Sequence, residues 1–183
     1  DAFAIFTYER NETCKSRLSI WQDCVEKAPE KARPHYNLSV VLREDGQKRE
    51  SEQHSVSAEN WLDKEIFHLR EAIRLSPDYL DAHLALGVAL EKKGRVDEAI
   101  SHYRYIVNHE IQKGKTVPNP SFIAAQQELR YKAYNYIGNL FVSMGKLNEG
   151  IAHFKQAVAL SARDEIAMGN YRTALRIKEE LDE

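Results

Sequence analysis

The chain has 183 residues, of which 43% are hydrophobic and 30% charged, with 26 Lys and Arg against 28 Asp and Glu. A net charge of −2 gives no basic surplus for binding a phosphate backbone, so nucleic acid is not an expected partner. Nowhere do about 18 apolar residues follow one another, and we therefore expect no direct membrane insertion of this chain.

A unit of 34 residues recurs along the sequence. At this offset Ile66 falls on Ile100 and Leu69 on Tyr103, and two longer offsets of 48 and 51 residues indicate insertions of 14 and 17 residues. Within each unit apolar residues recur at steps of three and four on two successive segments, which is the period of two amphipathic helices joined by a turn. The sequence therefore predicts an array of helix pairs, each built from one repeat.

The array is predicted to begin with a partial repeat at 1–31, whose one helix spans 13–27. Cys14 and Cys24 would lie roughly 15 Å apart on that helix, too far for a disulfide. Because the numbering starts at Asp1, with no Met or leader before it, we expect a fragment of a longer protein.

The repeat at 32–78 carries the first insertion, residues 47–60. These residues are polar, and we expect them to form a solvated loop between the two helices of their repeat. Gly46 occupies the same repeat position as Gly94 and Gly145. All three glycines are expected to end a first helix in the left-handed conformation.

The next repeat spans 79–112 and is followed by the second insertion at 113–130 and a further repeat at 131–163. Asn119 and Pro120 are expected to cap a helix that runs unbroken past Tyr131. Gly138 and Gly150 should lie on facing sides of the two helices of the last repeat, so that their backbones approach closely. A final capping helix is predicted within 164–183.

Residue patterns that carry out catalysis were not found in the sequence. Gly114-Lys115-Thr116 matches the end of a phosphate-binding loop but lacks the upstream glycine and the preceding strand. The seven histidines have no HExxH spacing, and no Gly-x-Ser-x-Gly elbow is present. We therefore expect a chain that is not an enzyme and needs no cofactor or metal.

Two stretches resemble the tetratricopeptide repeat family. They are 82–90 with 94–100 and Tyr103, and 133–145 with Gly150, Phe154 and Ala157. The resemblance implies an all-α fold, a right-handed α-solenoid of tetratricopeptide-type helix hairpins. Four positions depart from the pattern. Glu65 stands where a small residue is expected, Gly150 replaces the usual Ala, and the closing Pro is lost at Ile111 and Ala162.

Such arrays present their first helices along a concave groove, where extended peptides or partner helices bind. The resemblance thus implies a protein-interaction module for a peptide or partner protein. The groove residues expected from this pattern are Arg33, Tyr36, Asn37, Val40, Arg43, Leu84, Val88, Glu91, Lys132, Asn135, Tyr136, Asn139, Asn170 and Thr173. The family's clamp for a C-terminal carboxylate needs Lys and Asn where this chain has Tyr36 and Val40, so a chaperone-tail receptor is not expected.

Two alternatives remain open. A further resemblance is carried by residues 7–11, Leu18, 21–23, 27–29 and 32–38. They resemble the junction in polytopic membrane proteins, often glycosyltransferase-like, whose repeats follow the last membrane helix. This resemblance implies a non-catalytic recruiting arm on the extracytoplasmic side of a membrane-anchored parent, and favours that side over the cytoplasm. Self-association through the edge of the N-terminal helix is also possible, unless Phe3, Ile5 and Phe6 cover that edge.

Overall fold

A computed structural model describes residues 16–51, 55–109, 119–161 and 164–183, and the regular elements within these ranges are all α-helices. In chain order they are α1 (Arg17–Lys27), α2 (Ala32–Ser51), α3 (Ser55–Leu75), α4 (Leu80–Lys92), α5 (Val96–Asn108), α6 (Pro120–Ser143), α7 (Leu147–Leu160) and α8 (Glu165–Asp182). None of these described helices is long and apolar enough to cross a membrane. The chain divides into two compact units, one up to Ala89 and one from Leu90.

The first unit begins with a helix that the sequence caps by itself. The hydroxyl of Ser16 accepts a hydrogen bond from the Ser19 N–H at 3.1 Å, and the Ser19 hydroxyl accepts from the Ser16 N–H at 3.2 Å. This reciprocal capping box satisfies two backbone donors at the start of α1. The helix was predicted over 13–27, and its first three residues lie outside the described part of the chain.

The core of the first unit lies between α2 and α3, which pack along each other, with α1 against α2. Leu38 and Leu42 of α2 and Leu69 of α3 are buried, at the spacing of one helical face. Glu65 of α3 is also buried, with 3% of its surface exposed, although the repeat pattern places a small residue there.

The first insertion is helical on both sides of 52–54, which lie outside the described residues. Because α2 continues to Ser51 and α3 begins at Ser55, the prediction of a solvated loop over 47–60 is wrong for these flanks. The prediction that Gly46 ends the first helix is also wrong, since Gly46 is buried inside α2 and a Cβ there would lie 3.4 Å from Cβ of Trp61. The insertion contains three Glu, two Gln, one Lys and one Arg, which are all good helix formers, so its polar composition is compatible with helix as well as with a loop.

In the second unit α6 packs against α5 and α7, and α7 packs against α8. Helix α6 starts where the sequence predicted, because the Asn119 side chain accepts from the Ser121 N–H at 3.0 Å and Pro120 occupies the first turn. It runs without interruption to Ser143, which confirms the predicted continuous helix. Helix α8 is capped in the same way by Asp164, whose carboxylate accepts from the Ala167 N–H at 2.7 Å.

Gly94 and Gly145 end α4 and α6 as predicted, each with φ of 75°. After α6, the Gly145 N–H donates to the Val142 carbonyl at 3.0 Å. The following N–H, of Lys146, donates to the Phe141 carbonyl at 2.8 Å. These two bonds form a Schellman motif, which needs the left-handed residue that glycine adopts without strain.

The predicted close approach of Gly138 and Gly150 is confirmed in the second unit. A Cβ on Gly150 would lie 3.0 Å from the Gly138 carbonyl oxygen. Phe154 and Tyr103 are buried beside these helices and fill the core of the unit. The boundaries assigned to the individual repeats stay a prediction.

Candidate functional site

The predicted groove residues of the first unit lie on α2 and α4, and none of them is fully buried. We call this set the first-unit face. It consists of Arg33, Tyr36, Asn37, Val40 and Arg43 on α2 and Leu84 and Val88 on α4. Buried residues such as Leu38 and Val41 take the intervening positions of α2, so its apolar and polar sides are distinct.

Tyr79, just before α4, contacts two residues of the first-unit face, Tyr36 and Arg33. Its ring centroid lies 4.9 Å from that of Tyr36, with the two rings tilted by 42°. Burial raises the pKa of Tyr79, the neighbouring Tyr36 and Asp81 add to this rise, and a hydrogen bond with Arg33 opposes it. Arg33, Tyr36 and Tyr79 therefore form one contact cluster on the partly exposed side of α2.

The predicted groove residues of the second unit form the second-unit face. It consists of Glu91 at the end of α4, Lys132, Asn135, Tyr136 and Asn139 on α6, and Asn170 and Thr173 on α8. Its decisive contact joins α6 to α8: the Asn170 side-chain amide donates to the Asn135 side-chain oxygen at 3.0 Å. Asn139 lies one turn beyond Asn135 and is exposed.

Tyr136 of the second-unit face packs on a buried tyrosine, Tyr103. The ring of Tyr136 stacks on that of Tyr103, with centroids 5.2 Å apart and planes within 11°. Tyr103 has no exposed surface, and its hydroxyl donates to the Glu91 carboxylate at 3.2 Å. Burial raises the pKa of Tyr103 well above its usual range and the charge of Glu91 raises it further, so the phenol stays protonated as a donor.

Lys132 provides the positive charge of the second-unit face. Its ammonium group pairs with the Glu128 carboxylate one turn earlier on α6, and this hydrogen bond raises the pKa of Lys132. Thr173 is exposed on α8. The second-unit face thus combines three asparagine amides, the hydroxyls of Tyr136 and Thr173, and the charged groups of Lys132 and Glu91. None of these groups is a reactive nucleophile beside a base.

The structure shows three participants that the sequence analysis did not place on these faces, namely Tyr79, Glu128 and the hydroxyl of Tyr103. The Glu128 and Lys132 pair could have been found, since Glu four residues before Lys on a helix is a stabilising arrangement. Tyr79 lies in a turn outside any helical period, and no sequence signal places its ring against Tyr36. Tyr103 is fully buried, and the bond of its hydroxyl to Glu91 depends on the packing of the helices, which the sequence does not reveal.

Within the described ranges, no three His, Cys, Asp or Glu side chains lie close enough together to hold a metal ion. Cys24 is a free thiol on α1 within the same ranges, and Cys14 lies outside them.

Comparison of the sequence with protein families decides the identity of the repeat. Models described as tetratricopeptide repeat match residues 68–114 and 131–164. These two segments are tetratricopeptide repeats. No curated protein sequence matches this chain significantly.

Solved tetratricopeptide structures resemble this chain in fold. TTC0263, a thermophilic tetratricopeptide protein of Thermus thermophilus, matches with a TM-score of 0.63 at 19% identity, over 86% of this chain and 71% of its own. The MamA RS-1 ArsTM double mutant matches with a TM-score of 0.56 at 15% identity, over 90% and 85% of the two chains. The first tetratricopeptide domain of Spaghetti (RPAP3), bound to the HSP90 peptide SRMEEVD, matches with a TM-score of 0.50 at 15% identity, over 79% and 95%.

These matches confirm the predicted fold class, an all-α solenoid of tetratricopeptide-type helix hairpins. They do not bear on the alternative of a recruiting arm in a membrane-anchored parent, which stays a prediction together with its extracytoplasmic location. Residues 7–11, which carry part of that resemblance, lie outside the described residues, as do Phe3, Ile5 and Phe6.

Proposed function

We propose that this tetratricopeptide chain is a protein-interaction module whose second-unit face binds an extended peptide segment of a partner protein. The observation that carries the proposal is the 3.0 Å hydrogen bond between Asn170 and Asn135. This bond brings together the side-chain amides of α6 and α8 on a surface that is not buried. Asn139, one turn further along α6, extends Asn135 and Asn170 into a row of three amides.

The chemistry of this row suits an extended backbone. Each asparagine side chain offers two N–H donors and an acceptor oxygen, so it can pair with both the C=O and the N–H of one peptide unit. One amide-to-amide bond between Asn135 and Asn170 leaves further donor and acceptor capacity on both groups. Recognition through the backbone would make the face tolerant of the peptide's side-chain sequence.

Tyr136 adds flat apolar area beside the amides at a low cost in side-chain entropy. Its stack on the buried Tyr103 holds the ring in one orientation, which favours binding because less freedom is lost when a ligand arrives. The bound HSP90 peptide in the Spaghetti (RPAP3) domain supports peptide capture on this fold. On the first-unit face, Tyr36 and Val40 stand where a carboxylate clamp would need Lys and Asn, so we expect the chain to bind internal peptide segments rather than free C-termini.

The first test uses a phage-displayed library of random peptides selected on the full chain. The selected peptides are synthesised, and their affinities are measured with wild type, Asn139→Ala and Gln156→Ala. Both residues are exposed, but Gln156 lies on α7, outside the second-unit face. Losing a hydrogen bond worth about 1 kcal/mol should weaken binding about fivefold in Asn139→Ala and leave Gln156→Ala unchanged.

Tyr136→Ala is less informative, because it also removes the ring that packs on Tyr103. The peptide SRMEEVD is included as a probe of the carboxylate clamp, and we expect no measurable binding. The proposal fails if the library yields no binder, or if the selected peptides bind Asn139→Ala as tightly as wild type.

A further inference from the structure

Two histidines meet at the interface of α2 and α3 in the first unit. Nδ1 of His35 lies 3.0 Å from Nδ1 of His68, and the ring centroids are 5.3 Å apart. The other ring nitrogen of His35, Nε2, lies 3.1 Å from the carbonyl oxygen of Pro29 in the turn before α2. His35 is 5% exposed and His68 is half-buried. This chain of contacts joins α3, α2 and the preceding turn.

The geometry assigns the protons of the pair. A carbonyl oxygen only accepts, so Nε2 of His35 carries a hydrogen directed at Pro29. In neutral His35 the Nδ1 atom is then an acceptor, and Nδ1 of His68 must be the donor. His83, one repeat later, makes the same contact, with Nε2 2.9 Å from the Pro77 carbonyl oxygen. The Nε2–H form of this histidine therefore recurs in two repeats.

A positive charge on His68 is unfavourable at its contact with His35. Burial lowers the pKa of His68 to about 4, the nearby His35 lowers it as well, and Glu71 on the same helix acts in the opposite direction. Glu71 is engaged by Arg74 at 2.9 Å, which limits its use as a counter-ion. If both imidazoles were fully protonated, two N–H groups would point at each other across the 3.0 Å contact.

We propose that the His35–His68 contact is an acid-sensitive latch that holds α2 against α3 while His68 is neutral and is weakened as His68 takes up a proton. The unfolded chain binds a proton at His68 near its ordinary pKa, whereas in the folded chain burial and the nearby His35 oppose a charge on His68. The latch therefore contributes its full stability above about pH 6.5, and this contribution falls as the pH drops towards about 4. Because His35 is next to Tyr36 and Asn37 on α2, weakening the latch would also loosen the first-unit face.

The first measurement is the tautomeric state of the histidines in the full chain by nitrogen-15 NMR near neutral pH. We expect the Nε2–H form at His35 and the Nδ1–H form at His68. Since most exposed histidines favour Nε2–H, the state of His68 is the diagnostic signal. Finding His68 in the Nε2–H form, or His35 in the Nδ1–H form, would overturn the latch. This measurement needs no substitution and so does not depend on a variant that folds.

The second measurement compares wild type with His68→Gln by urea unfolding between about pH 7 and about pH 5. A glutamine amide can still donate to His35 but does not titrate. The unfolding equilibrium constant should rise about tenfold more in wild type than in His68→Gln as the pH falls, after allowing for the partial exposure of His68. His109→Gln, in the second unit, is the matched control and should keep the wild-type dependence. An undiminished pH dependence in His68→Gln would refute the proposal, which does not rest on peptide binding.

Discussion

At the scale of single residues, the absence of a side chain determines how closely two helices can pack. Gly150 on α7 faces α6, where a Cβ would lie 2.5 Å from Val142 Cγ2 and 3.0 Å from the Gly138 carbonyl oxygen. Real Cβ atoms do not approach other atoms to the shorter of these distances, and the backbone oxygen has little room to move. The glycine at this position, where the family usually has alanine, is thus specific to this chain's packing.

We therefore expect Gly150→Ala to destabilise the protein by about 1–3 kcal/mol, as overpacking does in well-filled cores. Gly169→Ala is the control, because a Cβ at Gly169 on α8 would meet nothing within 4 Å. This control should be stabilising by up to about 1 kcal/mol, since alanine is the better helix former. Urea unfolding of both variants gives the comparison, and equal stabilisation by the two substitutions would show that α6 and α7 are not so close.

The groove residues illustrate what a sequence can specify for a single residue. The repeat period placed Asn135 and Asn170 on corresponding turns of successive first helices, and the two side chains are in contact. The period could not reveal the stack of Tyr136 on Tyr103 or the position of Tyr79 against Tyr36. Those contacts depend on helix rotation and on turn geometry, which apolar spacing does not encode.

At the scale of helices, start and stop signals were informative where their chemistry was local. Asn119 with Pro120 started α6 and Gly145 ended it, because both ends are satisfied by hydrogen bonds within a few residues. Gly46 carried the same signal as Gly145 but lies inside α2. Gly46 lies close to Trp61 on α3, and this tertiary contact could not be predicted from one sequence.

This difference between the two glycines predicts opposite effects of one substitution. Gly46→Ala should stabilise the chain by up to about 1 kcal/mol, because the residue is inside a helix and its Cβ would make an ordinary contact at 3.4 Å. Gly145→Ala should destabilise it by about 1–2 kcal/mol, because φ is 75° there. Thermal and urea unfolding test both. A loss of stability in Gly46→Ala as large as that in Gly145→Ala would mean that Gly46 ends its helix after all.

At the scale of the whole molecule, the repeat period and the helical apolar spacing predicted an array of helix pairs, and the resemblance to tetratricopeptide repeats implied the all-α solenoid that the solved structures confirm. The continuation of the second insertion into α6 was predicted, but the length of α2 and α3 was not, since these two helices absorb most of the first insertion. Self-association through α1 stays a prediction. The partner also stays a proposal, because backbone recognition by amides carries no sequence code for the ligand.

The central claim is that the amides of α6 and α8 capture a peptide backbone, and NMR titration of the nitrogen-15-labelled chain with a library-selected peptide tests it most directly. We expect the side-chain amide signals of Asn135, Asn139 and Asn170 to shift on binding, while the backbone signals of Lys155 and Gln156 on α7 stay in place. A selected peptide that shifts the α7 signals and leaves the three asparagine side chains unchanged would contradict the account.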